Sequence, residues 1–187
     1  MPVPSTIQET PIHTVAAVPF YSQFKDITST AWKKVGCGIT DLAMVIDYYK
    51  PAVSVDTLLT QGIAVGAYLK NAGWSYQGLI SVAKKYGLDG SSYDVATLGN
   101  RAALAQLTEH LKNGPVIVSV HYKFDPKSKV PHLVVLNGID GDTLYYNDPA
   151  AQTGDKQIST ADFLAGWKKR FIVIRPVQKT VAIAYTP

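Results

Sequence analysis

A chain of 187 residues with 47% hydrophobic and 17% charged residues has the make-up of one globular domain able to bury a real core. Its formal charge of +4 is scattered over distant pairs such as Lys33-Lys34 and Lys84-Lys85, a pattern of solvated faces that argues against nucleic acid as partner. One cysteine excludes an internal disulfide, no Cys/His cluster has zinc spacing and no cofactor motif is present, so no metal or cofactor is expected; no apolar run is long enough for a membrane helix.

In chain order, residues 1–17 read as an extended or loose arm, and 18–187 as a single domain. The first twenty residues lack the basic start and apolar block of a signal peptide, which leaves the compartment open. Val18 to Gln23 is expected to be a short β-like segment, with Pro19 placing it at an edge or strand start. Phe24 to Val35 reads as a polar loop. From Cys37 a helix is expected to run to about Tyr49, because Ile39, Leu42, Ala43, Ile46 and Tyr49 recur at spacings of three and four and Pro51 cannot continue it.

A second helix is expected from Ser54 as its cap, and a third from Ser75 to Tyr86, stopped by Gly87. Gly62, Gly66 and Gly73 mark turns between them, and a fourth helix is expected over about Gly99 to Lys112. After Pro115 the texture changes to strand: Val116 to Val120, His132 to Ile139, and Thr143 to Asn147 after a hairpin signal at Asp140-Gly141-Asp142. A short helix from Ser159 to Trp167, a strand at Phe171 to Arg175 and a last strand at Val181 to Tyr185 complete the reading. Helices first and an antiparallel sheet second give an α+β fold.

The chemistry centres on Cys37, set between Gly36 and Gly38 at the start of its helix. There it is either a small core hydrophobe or a nucleophile, since unpaired helix N–H groups and the helix dipole favour a thiolate at that place. The glycines read as letting the backbone turn sharply and leaving the sulfur uncovered. A nucleophilic cysteine needs a base, a group that orients it, and donors for an oxyanion. His13, His110, His121 and His132 are the candidate bases; His13 falls in the arm and His110 on a face expected to meet solvent. His132 opens the most apolar strand, and the hairpin brings it roughly opposite residues 147–150, where Asp148 is in reach of its Nδ1. Gln23 is the candidate side-chain donor to the oxyanion.

Val-Pro-Phe-Tyr-Ser-Gln, Gly-Cys-Gly opening a helix, His-Leu-Val-Val-Leu-Asn-Gly-Ile-Asp and Tyr-Asn-Asp-Pro together resemble the papain-like cysteine peptidases. Within these, the stretch from about Val18 to Arg175 is similar to the bacteriocin-processing double-glycine leader peptidases and their stand-alone relatives, although Phe24 to Gly36 is a longer interval than in transporter-linked members. The resemblance implies a papain-like fold and peptide-bond hydrolysis. It implies Cys37 as nucleophile, His132 as base, Asp148 as orienting acid, Gln23 as oxyanion donor, and a peptide or protein substrate. The same site would also suit a cell-wall peptide amidase or an acyl transferase, and a silent peptide-binding domain is the remaining reading.

Overall fold

The computed structural model describes residues 13–178, and the strand expected at Val181 to Tyr185 lies outside them. In chain order the elements are β1 (His13–Val15), α1 (Thr30–Lys33), α2 (Cys37–Tyr49), α3 (Val55–Ala64), β2 (Tyr68–Leu69), β3 (Gly73–Trp74), α4 (Tyr76–Lys84), β4 (Leu88–Asp94) and α5 (Asn100–Leu111). Then come β5 (Val116–His121), a single 3-10 turn (Tyr122–Phe124), β6 (Pro131–Asp140), β7 (Thr143–Asn147), β8 (Lys156–Ser159), α6 (Thr160–Gly166) and β9 (Trp167–Pro176). The serine caps act as their spacing implies: Ser54, Ser75 and Ser159 accept from the N–H groups of Thr57, Gly78 and Asp162.

Among the described residues the main sheet has seven strands, in the order β4-β9-β5-β6-β7-β8, with β1 added against β6. All of these pairings are antiparallel. The β-branched strands β5 and β6 lie at its centre and are buried on both faces. Ile117, Leu133, Val135 and Ile172 pack with α2, α3 and α4 on one face, whereas Val118, Val134, Leu136 and Phe171 pack with α5 and α6 on the other. The result is a papain-like α+β fold: a helical first half laid on a sheet made mostly by the second.

Three local expectations are corrected, and one strand, β4, goes beyond the sequence reading. Val18 to Gln23 forms no strand; it is an irregular segment held by side chains, as described below. Phe24 to Val35 is not simply a polar loop, because Ile27 is fully buried and α1 lets Trp32 meet Tyr68 and Trp74 edge-on or tilted, at 4.9 and 6.1 Å between ring centroids. His13–Val15, within the arm, pairs with Gly138 to Asp140. Leu88–Asp94 is a polar, glycine-bearing strand with no clean alternation, and it forms because β9 offers it a continuous antiparallel partner.

The hairpin between β6 and β7 turns at Gly141, whose φ of +56° is the left-handed value that favours glycine. Pairing starts with Asp140 opposite Thr143, and a bulge at Asn137 then moves the register by one, so Val135 rather than Leu136 faces Asn147. That shift decides which residues of β6 share a face with the end of β7.

The glycines around Cys37 are required for space rather than for a sharp turn. Neither has a left-handed φ, but a Cβ at Gly36 would collide with Ile27 Cδ1, and one at Gly38 would sit 2.8 Å from Trp74 Cβ and 2.9 Å from its Cγ. Trp74 is pinned there by its Nε1–H donating to the Val35 carbonyl at 2.7 Å. Gly38→Ala should therefore lower the urea midpoint, with an overpacking cost of about 1–3 kcal/mol set against a helix gain of at most about 1 kcal/mol. An unchanged midpoint would show that Trp74 yields freely.

Candidate active site

Cys37 is the first residue of α2, after Gly36 as N-cap, and the first intrahelical bond runs from Thr40 N–H to the Gly36 carbonyl. The N–H groups of the first turn thus have no helical acceptor and face the same end as the sulfur. Two carbonyls just ahead of Cys37 are tied down, Val35 by Trp74 and Lys33 by the Gln23 amide at 2.7 Å. Cys37 itself is a free, half-buried thiol.

His132 near the start of β6 is 5% exposed, and its Nε2 lies 2.7 Å from Asp148 Oδ1. The expectation that Asp148 meets Nδ1 is corrected: Nε2 holds the carboxylate. Nδ1 is the nitrogen left free of the carboxylate, and Cys37 lines the same hollow as His132. The ring packs edge-on against Tyr122, with centroids 5.3 Å apart. Asp148 also accepts from Ala150 N–H at 2.8 Å, which fixes the carboxylate from behind.

Burial opposes a charge on His132, but the hydrogen bonds and negative charges of Asp148 and Cys37 outweigh it and hold the imidazolium up to about 10. Burial likewise works against the Asp148 carboxylate, and is overcome by its hydrogen bond to His132, the imidazolium charge, Ala150 N–H and Lys156, which keep it below the usual range.

Gln23 is buried beside this pair. Its N–H is bound to the Pro149 carbonyl at 2.8 Å, and Ser22 Oγ donates to the Ala151 carbonyl at 2.9 Å, so the segment is stitched to the loop that carries Asp148. One amide hydrogen of Gln23 goes to Lys33; its Oε1 has no partner among the described residues. Gln23, Cys37 and His132 line one hollow of about 490 Å³, with Asp148 behind the imidazole. Thus the structure brings the four residues singled out from the sequence to one cleft. The other histidines stand apart: His121 Nδ1 is engaged by the Ser128 carbonyl at 2.8 Å, and His110, expected to face solvent, is half-buried on the far face with its ring tilted against Tyr93 and Phe171. The backbone of His13 pairs with Asp140.

A family model, the Peptidase_C39 like family, matches residues 15–175. The chain belongs to this family. No curated protein matches it. Among solved structures, this C39-like chain is similar to a double glycine motif protease from an AMS/PCAT transporter, crystallised with its leader peptide, at 24% identity and a TM-score of 0.62, covering 91% of this chain and 100% of that one. It is similar to the peptidase domain of Streptococcus ComA, a bifunctional ABC transporter, at 23% identity and 0.60, covering 77% and 93%. It is also similar to a C39-like peptidase from Bacillus anthracis, at 19% identity and 0.65, covering 90% and 100%. Family and fold together indicate a cysteine peptidase.

One residue of the C39-like site escaped the sequence reading. Asp41, one turn after Cys37 on α2, is fully buried, and neither carboxyl oxygen has a hydrogen-bond partner among the described residues. The available signal was a charge inside the apolar stripe that runs from Ile39 to Ile46. Burial, and then repulsion from Cys37 and Asp148 against the pull of His132, hold its carboxyl well above the ordinary range.

Two titrations check these assignments. Ring ¹⁵N NMR should find His132 keeping its proton to about 10. In Asp148→Ala it should titrate about one to three pH units lower; an unmoved titration would remove the carboxylate as its support. For Asp41, the folded chain keeps a proton that the unfolded chain releases above about pH 4, so stability falls as pH rises from there through the raised folded value. Asp41→Asn lacks this loss. Its stability relative to the parent should grow with pH by up to about 1.4 kcal/mol per pH unit over that window, read by urea unfolding. A constant gap between pH 4 and 8 would mean that Asp41 ionises normally.

Proposed function

We propose that this protein is a cysteine peptidase that hydrolyses peptide bonds through a thioester on Cys37. The observation that carries the reading is a thiol at a helix N-terminus sharing one open cleft with a buried imidazole whose Nε2 is held by a carboxylate behind it. The Cys37 sulfur attacks the carbonyl carbon, and the carbonyl oxygen becomes the oxyanion. The second amide hydrogen of Gln23 and the Cys37 backbone N–H donate to it. The C–N bond then breaks as His132 passes its Nδ1 proton to the leaving amine. A water molecule gives a proton back to His132 and attacks the thioester; the C–S bond breaks, releasing the acid and restoring the thiolate–imidazolium pair. Asp148 stays ionised throughout and keeps the ring oriented.

A peptide is the substrate class this reading requires, in keeping with a similar protease that was crystallised with its leader peptide. Digestion of a defined peptide mixture by the parent chain, with no digestion by Cys37→Ala, tests it; equal digestion by both would defeat it.

Gln23→Ala should lower kcat by roughly 10²–10³-fold with little change in KM, because an oxyanion donor acts in the transition state. Alkylation of Cys37 by iodoacetamide should persist in the same variant, since displacement at a saturated carbon develops no oxyanion. Parent-level turnover would move the donor role elsewhere in the Phe24–Gly36 interval.

A further inference from the structure

Cys37 and His132 sit at the junction of two hollows of very different size. One of about 80 Å³ is walled by Trp74, Tyr76 and Leu133, and the other is the hollow of about 490 Å³ described above. The walls of the large hollow are apolar and aromatic: Phe24, Tyr68, Tyr122 and Val130. Phe24 is 39% exposed and Val130 55% exposed, so large apolar surface stands open to water around the sulfur. Such a concave surface is completed by an apolar side chain from outside.

Apart from the Cys37–His132 pair, the charges in the same hollow have one sign. Lys34 lines it, and among the described residues no aspartate or glutamate does. Lys70 and Lys129 are chain neighbours of the lining residues Asn71 and Val130 and are also exposed. Asp148 is turned away from the hollow, onto His132 and Ala150. A carboxylate beside Lys34 would meet a cation and no other carboxylate.

Resting on the peptidase reading, we propose that Phe24, Tyr68, Tyr122 and Val130 form a specificity pocket for a bulky apolar side chain next to the reacting carbonyl, and that Lys34 pairs with an acidic residue beside it. The substrate class is a peptide with an aromatic or large aliphatic residue flanked by aspartate or glutamate. A glycine at that place would leave the pocket unfilled and its apolar walls wet.

Chloroacetyl amino-acid amides test the pocket without peptide turnover. The Cys37 sulfur displaces chloride to form a thioether, and the amino-acid side chain is free to settle into either hollow. Mass spectrometry of the alkylated chain gives the rate. Chloroacetyl-phenylalaninamide should alkylate Cys37 at least about tenfold faster than chloroacetyl-glycinamide. That ratio should fall toward one in Phe24→Ser/Val130→Ser, both exposed positions. Chloroacetyl-phenylalanyl-aspartate should exceed its lysine counterpart by about two- to fivefold at low salt, with the order reversed in Lys34→Glu. Equal rates for the phenylalanine and glycine reagents, or an aspartate advantage that survives Lys34→Glu, overturn the assignment. If the rate differences hold while no peptide is hydrolysed, the peptidase reading falls and the pocket stands.

Discussion

The buried amide of Asn147 holds the two halves of the cleft together. Its Nδ2 donates to the carbonyls of Val18 and Pro19, at 3.1 and 3.4 Å, and its Oδ1 accepts from Asp155 N–H at 2.9 Å and Asn137 Nδ2 at 3.3 Å. The irregular backbone ahead of Gln23 has no sheet ladder to satisfy it, so this one side chain supplies the Val18 and Pro19 carbonyls with a donor that pairing would otherwise provide. The same residue is the last of β7, directly before Asp148. The positions of Gln23 and Asp148 are therefore coupled through a single amide, reinforced by the bonds from Gln23 and Ser22 to the 149–151 backbone.

Around that anchor the cleft gathers ionisable groups in a place where water is scarce. His132 and Asp148 compensate one another through a short hydrogen bond, and burial strengthens that coupling as much as it penalises the separate charges. Asp41 has no such compensation and lies in the same helix as Cys37. The fold tolerates it because the apolar residues around it, from Ile39 to Ile46, are packed into a large core against β6. Stability is supplied by the two faces of the sheet and is drawn down locally, beside the reacting sulfur.

Much of the fold was readable because its signals are local. Helix α2 follows from a three-four apolar spacing, the caps from serines, and the hairpin from Asp-Gly-Asp, which together brought His132 near Asp148. The nitrogen that meets Asp148 was not readable, since ring orientation is set by what packs around it, here Asp148 and Tyr122, and not by any local pattern. The segment from Val18 to Gln23 looked like a strand because its residues suit one, yet its partners are side chains from distant positions. Strand β4 was missed because Leu-Asp-Gly-Ser-Ser-Tyr-Asp has weak intrinsic preference and takes its conformation from β9. The glycines flanking Cys37 were assigned for the wrong reason: what they avoid is Ile27 and Trp74, contacts that no local pattern announces.

The bond between His132 and Asp148 joins residues of the second half of the chain, whereas the Cys37 sulfur that shares their cleft belongs to the first. During synthesis Cys37 leaves the ribosome long before His132, and until then α2 has no β6 to pack against. Contacts between α2 and β6 close a very long loop, which makes them late events in folding. A chain that is incomplete or only partly folded carries an isolated thiol and no assembled acid–base pair. Docking of the two halves is therefore the event that brings thiol, imidazole and carboxylate into one cleft.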